Sequence, residues 1–347
     1  MSIQEILQAT NGRLISSNST RRVFKKVSTD SRSIKPGDLF LALVGEKFDG
    51  HDYVADVIKK KAGALIVSKK ILSHPQVPVV QVKDTTKALG HMAQFYRRKF
   101  DIPVITITGS AVKTTTKEMI AQVLSTQYEV LKNVKTENNH IGVPQTLLRL
   151  NKHHQAAVLE CGTNQPGDIE WLAEIVQPTV VVYTNIGASH LEKLKNRQGV
   201  FEEKFKMVQA MTPDGTIVFN RDDEYLSKIS KMKLTQKKIT YSIEKVSDYQ
   251  AKQVRSTRPG EIHFSVHHQK YDLNAWARHN VYNALAAVAC ADVLKIKRSN
   301  IKRCLKAFVN CPGRQEIKKF GDLTVIDDTY NANPTSFRSA VDTLSVM

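Results

Sequence analysis

The segment of residues 104–117 carries the residue types that phosphate chemistry requires. It reads V-I-T-I-T-G-S-A-V-K-T-T-T-K, which predicts a buried strand, a tight loop and the start of a helix. In that arrangement, backbone N–H groups and the helix N-terminus face phosphate oxygens. Lys113 would neutralise the β- and γ-phosphates, and the hydroxyl of Thr114 or Thr115 would hold Mg²⁺. The segment therefore predicts a nucleotide site.

The residue directly before this lysine departs from the usual phosphate loop. The strict pattern G-x-x-x-x-G-K-[ST] is not met, because Ile107 and Val112 occupy its two glycine positions. A glycine before the lysine lets the backbone approach the phosphates and adopt a positive φ, which is a genuine outlier for a β-branched residue. If Val112 adopts that conformation, we expect strain of about 1–3 kcal/mol.

Two further side chains stand where strands of the same sheet are expected to end. Glu160 closes the apolar run 156–160, and His190 follows the run 179–184 by a few residues. Ligands of parallel sheets bind at the carboxyl ends of the strands, so both side chains are expected at the ligand edge. Taken alone, each is more often a solvated loop residue.

The elements that would position these residues are alternating strands and helices, which predict an α/β protein with a parallel sheet covered on both faces. The expected strands are 104–108, 156–160, 179–184 and 215–220, and the expected helices are 85–100, 114–124, 168–175, 201–211 and 279–294. Residues 254–273 are expected to be antiparallel around the turn Arg258-Pro259-Gly260. A strand at 323–326 and a helix after Pro334 follow. The expected domains are 1–84, 85–314 and 315–347.

Composition limits the class of protein. The chain has 347 residues, 41% of them hydrophobic and 24% charged, which suits two or three packed domains. No signal peptide or membrane-spanning run is visible, and the four cysteines form no CxxC, so we expect reduced thiols in a cytoplasmic protein, most simply a monomer. The net charge of +18 allows nucleic-acid binding, but the basic residues are scattered and not interleaved with aromatics, so this is a minor alternative.

Several strings, in this order and spread over almost the whole chain, resemble the Mur ligase family of ATP-dependent peptide ligases. They are S-T-D-S-R at 28–32, G-E-K-F-D-G-H at 45–51, T-G-S-A-V-K-T at 108–114, T-E-N-N-H-I-G-V-P at 136–144, E-C-G at 160–162, T-N-I-G-A-S-H at 184–190, E-K at 203–204, R-H-N-V-Y-N at 278–283, P-G-R at 312–314 and D-D-T-Y-N-A-N-P at 327–334. The family has glycine where Val112 stands, a longer version of the string at 136, and Gly-Glu where Phe205 and Lys206 follow Lys204.

The resemblance implies a role for each matching residue. ATP would be held by Gly109, Ser110, Lys113, Thr114, Thr115, Asn280, Asn283, Arg314 and Asp328, with the two asparagines at the adenine, although Asn280 could instead cap its helix. Two Mg²⁺ ions would be held by Thr115, Glu160, His190 and Lys204, the last as a carbamate. The catalytic residues would be Lys113, His190 and Lys204.

For the second substrate, the resemblance implies a small N-terminal α/β domain that binds a UDP-linked precursor. Ser31 and Arg32 would line that pocket, and Asp49 and His51 would lie near it, although turn chemistry explains the same residues about equally well. Asn138 and Asn139 would contact substrate or a metal-bound water. Residues 315–347 would be the incomplete beginning of a Rossmann-like C-terminal domain.

The implied reaction is ATP-dependent addition of D-alanyl-D-alanine to UDP-N-acetylmuramoyl-tripeptide through an acyl phosphate, a step of peptidoglycan precursor synthesis. An alternative is a non-catalytic homologue that binds the UDP-precursor or nucleotide without ligation, which Val112 and the short C-terminal segment motivate. Diamino-acid-adding and folylpolyglutamate-forming branches of the superfamily are also conceivable, but the string at 330–334 favours the D-alanyl-D-alanine branch.

Overall fold

A computed structural model of the protein describes residues 1–16, 23–24, 26–71, 76–134, 137–258, 260–332 and 334–345. The helices are α1 (Ile3–Thr10), α2 (Val54–Lys59), α3 (Thr85–Arg97), α4 (Lys113–Leu124), α5 (Gly142–Leu147), α6 (Asp168–Val176), α7 (Leu191–Leu194), α8 (Arg197–Phe205), α9 (His279–Val293), α10 (Arg298–Lys306) and α11 (Pro334–Leu344). Short 3₁₀ helices span Gly50–Tyr53, Lys206–Ala210 and Leu226–Lys231.

The strands follow the same chain order. They are β1 (Arg13–Ser16), β2 (Val27–Ser28), β3 (Leu39–Leu41), β4 (Ala64–Val67), β5 (Val79–Gln81), β6 (Val104–Thr108), β7 (Val130–Lys132), β8 (Ala156–Glu160), β9 (Val180–Tyr183), β10 (Thr216–Asn220), β11 (Lys237–Ser242), β12 (Tyr249–Gln250), β13 (Lys252–Arg258), β14 (Glu261–Val266), β15 (Gln269–Asn274), β16 (Glu316–Phe320) and β17 (Leu323–Asp327). The chain forms two compact units, residues 1–101 with 140–152 and residues 102–139 with 153–347.

The first unit is built on a small mixed sheet in the order β1-β5-β4-β3-β2, parallel except for β1. Alternation along β3 divides its side chains, since Leu39 and Leu41 join a core with α1 and α3 whereas Phe40 faces the opposite core with α2. α3 begins at a side-chain cap, because Asp84 accepts hydrogen bonds from the next-turn amides. The expected domain bound at residue 84 thus differs from the compact unit, which includes α3 and also residues 140–152.

The second unit contains the expected parallel sheet, in the order β12-β11-β10-β9-β6-β8-β7. Its four central strands are buried along their whole length, which is why they read as continuous apolar runs in the sequence. α4 and α9 pack on one face of this sheet and share one hydrophobic core with the antiparallel β13-β14-β15 sheet. The expected fold class is therefore confirmed.

The last described residues form the hairpin β16–β17 and α11. Several of their large apolar side chains are mostly exposed, including Phe320, Leu323, Phe337 and Leu344 at 62–65%. Three expected strings fall partly outside the described residues, because Thr136 at the start of the string 136–144, Pro259 of the turn before β14 and Asn333 before α11 are not among them. In the part of the chain described, no helix combines the length and the apolarity that crossing a bilayer requires.

Candidate active site

The loop after β6 is held in place by the residues that follow β9. Gly109 has φ +154°, and a Cβ there would lie 2.0 Å from the hydroxyl oxygen of Thr184. The Thr184 hydroxyl donates to the carbonyl of Ala111 (2.8 Å), while the amides of Ser110 and Ala111 donate to the main-chain and side-chain oxygens of Asn185 (3.0 and 2.9 Å). Glycine is therefore required at 109 for close approach, and the sheet edge fixes the loop.

The Ser110 hydroxyl is engaged within the same edge. It donates to the Gly187 carbonyl (3.2 Å) and accepts from the Gly187 amide (2.9 Å) and the Ser189 hydroxyl (3.0 Å). These contacts tie the phosphate loop to the segment that leads to His190. Ser110 thus shapes the loop, and its side chain is already bonded to protein.

Val112 adopts the positive-φ conformation that is costly for a β-branched residue. Its φ of 56° and ψ of 10° lie in the left-handed region, and it immediately precedes α4, whose Thr116 amide bonds the Val112 carbonyl. A β-branched residue there stores strain of about 1–3 kcal/mol. The half-buried Lys113 turns back onto the loop and donates to the Gly109 carbonyl (3.0 Å). Burial and nearby Arg314 lower the Lys113 pKa, against the opposing pull of Glu160.

Glu160 ends β8 as a buried carboxylate with both oxygens bonded. One oxygen accepts from the Thr114 hydroxyl (2.6 Å) and the other from the Asn138 side-chain amide (2.7 Å). The hydroxyl at the candidate metal carboxylate is thus that of Thr114, whereas Thr115 lines the neighbouring cavity. Successive helix positions differ by about 100° in direction, so only one of the two can face Glu160. Asn139, adjacent to Asn138, is exposed.

Asn133 fixes the backbone of Glu160 and was not identified from the sequence. Its side-chain oxygen accepts from the Glu160 amide (3.0 Å), and its amide donates to the Glu160 and Glu137 carbonyls (2.9 Å each). Asn133 directly follows β7, which was not predicted. A buried asparagine just past a short strand was the available signal.

Lys204 is a buried lysine that the described residues leave without a direct ion-pair partner. It is 1% exposed, and the described residues offer its ammonium neither a hydrogen bond nor an ion pair. Burial, followed by repulsion from Lys113, lowers its pKa well below the usual lysine value, while Glu203 and Glu160 oppose that shift. Burial and the charges of Lys204 and Lys113 also lower the His190 pKa. Glu160 acts on the pKa of both lysines and both lysines act on the pKa of His190, so the four side chains lie at one site.

Two residues close to Lys204 in sequence, Glu203 and Lys206, contact α6. Glu203, 3% exposed, accepts from the amides of Gly167 (3.0 Å) and Ile169 (2.9 Å) and so caps the start of that helix. Lys206 pairs with Glu203 and Glu170, each at 3.2 Å. The positive charge that stands where the family has glutamate is therefore compensated by Glu203 on α8 and Glu170 on α6.

A cavity of about 130 Å³ beside the loop collects most of the expected nucleotide residues. It is lined, among others, by Val112, Thr115, Tyr241, Asn280, Tyr282, Asn283, Arg314 and Asp328. α9 begins at His279 and the Asn280 side chain bonds that of Asn283, so Asn280 does not act as a cap. The Arg314 guanidinium lies 4.0 Å from the Tyr330 ring centre, and Asp328 accepts from the Gln315 amide (3.1 Å).

The first unit has a separate cavity of about 350 Å³, lined by Thr29, Asp30, Ser31, Arg32, Phe40, Phe48, Gly50 and Tyr53. Asp49 and His51 do not line it. Asp49 bonds the His51 ring (2.5 Å) and pairs with Lys69, while the other His51 nitrogen accepts from the Ser68 amide (2.9 Å). The Lys69 ammonium lowers the Asp49 pKa. These two residues therefore hold the loop that presents Phe48 and Gly50.

Another acidic cluster lies on the outer face of the β13–β15 sheet. Glu261, His263 and Asp272 are the one group of three His, Cys, Asp or Glu side chains close enough to share a metal among the residues described. Both ring nitrogens of His263 are already bonded, to Asp272 (2.8 Å) and to the Thr257 hydroxyl (2.7 Å). The cluster is accounted for by these cross-strand contacts.

A parallel sheet with a phosphate loop and a buried carboxylate at the neighbouring strand end defines a nucleotide-binding α/β protein. Residues 107–291 match the family described as Mur ligase middle domain, and residues 23–97 match that described as Mur ligase family, catalytic domain. The chain belongs to the Mur ligase family.

Similar proteins carry a more specific name. The chain is 36% identical to the UDP-N-acetylmuramoyl-tripeptide–D-alanyl-D-alanine ligase of Buchnera aphidicola subsp. Baizongia pistaciae and 33% identical to that of Bacillus subtilis, covering 98% of this chain and 75% and 74% of those relatives. MurF from Acinetobacter baumannii superposes with a TM-score of 0.93 at 34% identity, covering 100% of this chain and 76% of that one. MurF from Thermotoga maritima, solved in complex with ADP, gives 0.83 at 26% identity, with 92% and 74% covered.

Proposed function

We propose that the chain is an ATP-dependent amide ligase that adds D-alanyl-D-alanine to UDP-N-acetylmuramoyl-tripeptide. The observation that carries this proposal is the site at the strand ends. There Glu160 accepts from Thr114 on the phosphate-loop helix, its charge opposes the lowered pKa values of Lys113 and Lys204, and both lysines lower the pKa of His190. The relatives named as this ligase cover the chain almost entirely. Peptidoglycan precursor synthesis is the corresponding process.

The second unit offers a place for both parts of ATP, the nucleoside and the triphosphate. The base would enter the cavity lined by Asn280 and Asn283, and Asp328 would bond the ribose. The triphosphate would lie across the loop, where Lys113 and the α4 N-terminus supply positive charge. Arg314 lines the same cavity and would add a second cation. The solved relative that holds ADP supports a nucleotide there.

The donor set also fits Mg²⁺. Glu160 is a buried carboxylate whose two oxygens are bonded to uncharged donors, so no cation among the residues that the structure describes competes for it directly. Glu160, the Thr114 hydroxyl, His190 and a modified Lys204 would hold the metal, which moves the expected hydroxyl ligand from Thr115 to Thr114. Bound Mg²⁺ supplies charge neutralisation for the phosphoryl oxygens.

We infer that Lys204 is carbamylated, and its environment supports this inference. A buried lysine without a counter-charge is driven toward the neutral amine, and the neutral amine is the form that attacks CO₂. The nitrogen forms a bond to the CO₂ carbon and releases one proton, which leaves a carbamate anion. This change replaces a neutral amine with an anionic oxygen ligand for metal.

In the reaction, the tripeptide carboxylate attacks the γ-phosphorus, and ADP leaves as the acyl phosphate forms. The amine of D-alanyl-D-alanine then adds to the acyl carbon, and phosphate leaves from the tetrahedral intermediate. Lys113 would hold the transferring phosphoryl group in line and balance its charge. In the first unit, Phe48 and Tyr53 offer rings for the uracil base and Arg32 a cation for its diphosphate.

The direct test is phosphate release that requires both UDP-N-acetylmuramoyl-tripeptide and D-alanyl-D-alanine, with the amide product identified by mass. Omitting either substrate is the control. Absence of binding of both ATP and the UDP-precursor at millimolar concentrations would overturn the proposal.

Carbamylation has its own test, which does not depend on turnover. With ¹³C-bicarbonate, the intact chain should show a carbamate carbon resonance that Lys204→Met removes. Lys117→Met is the matched control, because Lys117 is equally buried but bonds the Asn133 carbonyl (2.8 Å) and pairs with Glu118 (2.9 Å). A resonance that survives Lys204→Met would refute the assignment.

The strain at Val112 favours a second candidate, a protein that binds nucleotide or UDP-precursor without ligation. A residue with a Cβ is strained in the left-handed conformation, and its side chain stands beside the phosphates. The glycine that the family has at this position avoids both costs. Ligation by the unmodified chain would exclude this candidate, whereas binding of both ligands without product would establish it.

A further inference from the structure

The hydroxyl of Thr116 connects the phosphate loop to the base cavity. Thr116 is fully buried on α4, and its hydroxyl lies 2.9 Å from the Val112 carbonyl and 3.0 Å from the side-chain oxygen of Asn283. The Asn283 amide nitrogen in turn donates to the side-chain oxygen of Asn280 (2.9 Å). A continuous chain of hydrogen bonds therefore runs from the strained loop residue to the cavity wall.

The direction of this chain is set at Thr116. A hydroxyl carries one hydrogen, which here is shared between two oxygen acceptors, so the Asn283 oxygen is held toward Thr116 and its amide nitrogen toward Asn280. An asparagine amide is free to rotate by half a turn unless its neighbours fix it. With the hydroxyl removed, Asn283 would lose the contact that selects one of its two orientations.

The chain ends at the cavity wall in a side-chain donor that has no partner among the described residues. The Asn280 oxygen is bonded, whereas its amide nitrogen has no hydrogen-bond partner among the described residues, although the residue is 2% exposed and lines the cavity. Buried polar groups are normally satisfied, so this donor calls for an acceptor on a ligand. A ring nitrogen of a purine offers that acceptor, and a phosphate chain without a base does not.

We propose that Thr116 is a positioning residue for base recognition: its hydroxyl orients the Asn283–Asn280 amide pair so that Asn280 presents its NH₂ to the nucleobase. The inference rests on the proposed nucleotide site and adds to it a residue that touches neither base nor phosphate through its own side chain. The proposal also connects Val112 to base recognition, because the carbonyl of that strained residue and the Asn283 oxygen accept from the same Thr116 hydroxyl.

The experiment compares ATP with inorganic tripolyphosphate, which keeps the phosphates and lacks the base. Affinities for both would be measured by titration calorimetry with Mg²⁺ on the full chain and on Thr116→Val, which keeps the side-chain shape and removes the hydroxyl. We expect ATP binding to weaken about tenfold or more, as for a lost bond to a buried polar group, and tripolyphosphate binding to change less than about twofold. Thr116→Ser restores the hydroxyl and should recover most of the ATP affinity.

Thr106→Val is the matched control. Thr106 is also fully buried in this unit, on β6, and its hydroxyl has no hydrogen-bond partner, so the same substitution should leave both affinities unchanged. A parallel loss of ATP and tripolyphosphate binding in Thr116→Val would show an effect through the loop and overturn the proposal, as would no change in either. If the unmodified chain binds tripolyphosphate as tightly as ATP, the base site itself is refuted, and the role of Thr116 with it.

Discussion

Replacing Val112 tests whether its backbone conformation lowers the free energy of unfolding. At φ 56° any residue with a Cβ is strained by about 1–2 kcal/mol, and β-branching adds to this. Val112→Ala keeps the Cβ, whereas Val112→Gly removes it, and the two variants lose nearly the same apolar side chain. After glycine's larger unfolded-state entropy, worth about 0.4–1 kcal/mol, is subtracted, we expect the glycine variant to be more stable than the alanine variant by about 0.5–1 kcal/mol.

The sign of that difference is the informative quantity. At an ordinary φ, alanine is the more stable residue by about 0.5–1 kcal/mol, so Ala111→Gly, one residue earlier in the same loop and outside the positive-φ set, should be destabilising. Both tryptophans, Trp171 and Trp276, lie in the second unit, so their fluorescence during urea unfolding follows that unit alone. The comparison uses midpoints at unchanged m-value.

The same variants connect strain to nucleotide binding. Glycine at 112 also lets the backbone come closer to phosphate, so we expect ATP affinity to rise in the order valine, alanine, glycine. An alanine variant that is as stable as the glycine variant, and binds ATP as well, would show that side-chain volume matters and backbone strain does not.

Three further predictions concern the same unit. Gly109→Ala should lower the free energy of unfolding by about 2 kcal/mol or more, and clearly more than Gly167→Ala does. Both glycines have positive φ, but nothing lies within 4 Å of a Cβ at 167. Equal urea midpoints for the two variants would contradict the steric argument. Burial lowers the pKa of His279 to about 4, so the unfolded chain binds the extra proton between pH 6.5 and 4, and stability should fall by about 3 kcal/mol as pH drops through that window. His279→Asn should remove this slope in urea unfolding at several pH values, and His268→Asn, at an exposed histidine, should not. Glu160→Gln should abolish the Mg²⁺ dependence of ATP binding in calorimetry; an unchanged Mg²⁺ dependence would exclude Glu160 as a ligand.

The strands that could be predicted from the sequence are the ones that are buried on both faces. The central strands β6, β8, β9 and β10 were predicted to within about a residue, because burial on both faces makes each one a continuous apolar run. β7 and β11 were not predicted. β7 has three residues, and β11 begins with the exposed Lys237, so neither gives a clear pattern.

The assignment of segments to units depended on contacts that a linear pattern does not contain. Residues 140–152 return to the first unit, where the Tyr96 hydroxyl of α3 donates to the Leu150 carbonyl (3.0 Å). A partner 54 residues away leaves no local signature. The domain bounds expected from composition and from alternation of elements therefore differ from the compact units at these places.

The candidate site divides in the same way. Motif order indicated Lys113, Glu160, His190 and Lys204. In the structure, Glu160 acts on the pKa of both lysines, and both lysines lower the pKa of His190. Side-chain partners were beyond the sequence, since the choice between neighbouring threonines depends on the helix phase. Capping of α6 by Glu203 is likewise a contact across the fold.

The charge balance of the cluster links the two ligands that the proposed reaction needs. Two lysines, Lys113 and Lys204, face one buried carboxylate, Glu160, and both oxygens of that carboxylate are bonded to uncharged donors. Lys113 suits a triphosphate, whereas the neutral amine of Lys204 adds no negative charge for a metal. Conversion of Lys204 to a carbamate would add one anion, so the same side chains would then favour Mg²⁺ while Lys113 remains for the phosphates. Burial of Lys204 with no ion-pair partner among the described residues is therefore the feature that would permit nucleotide and metal to occupy neighbouring positions.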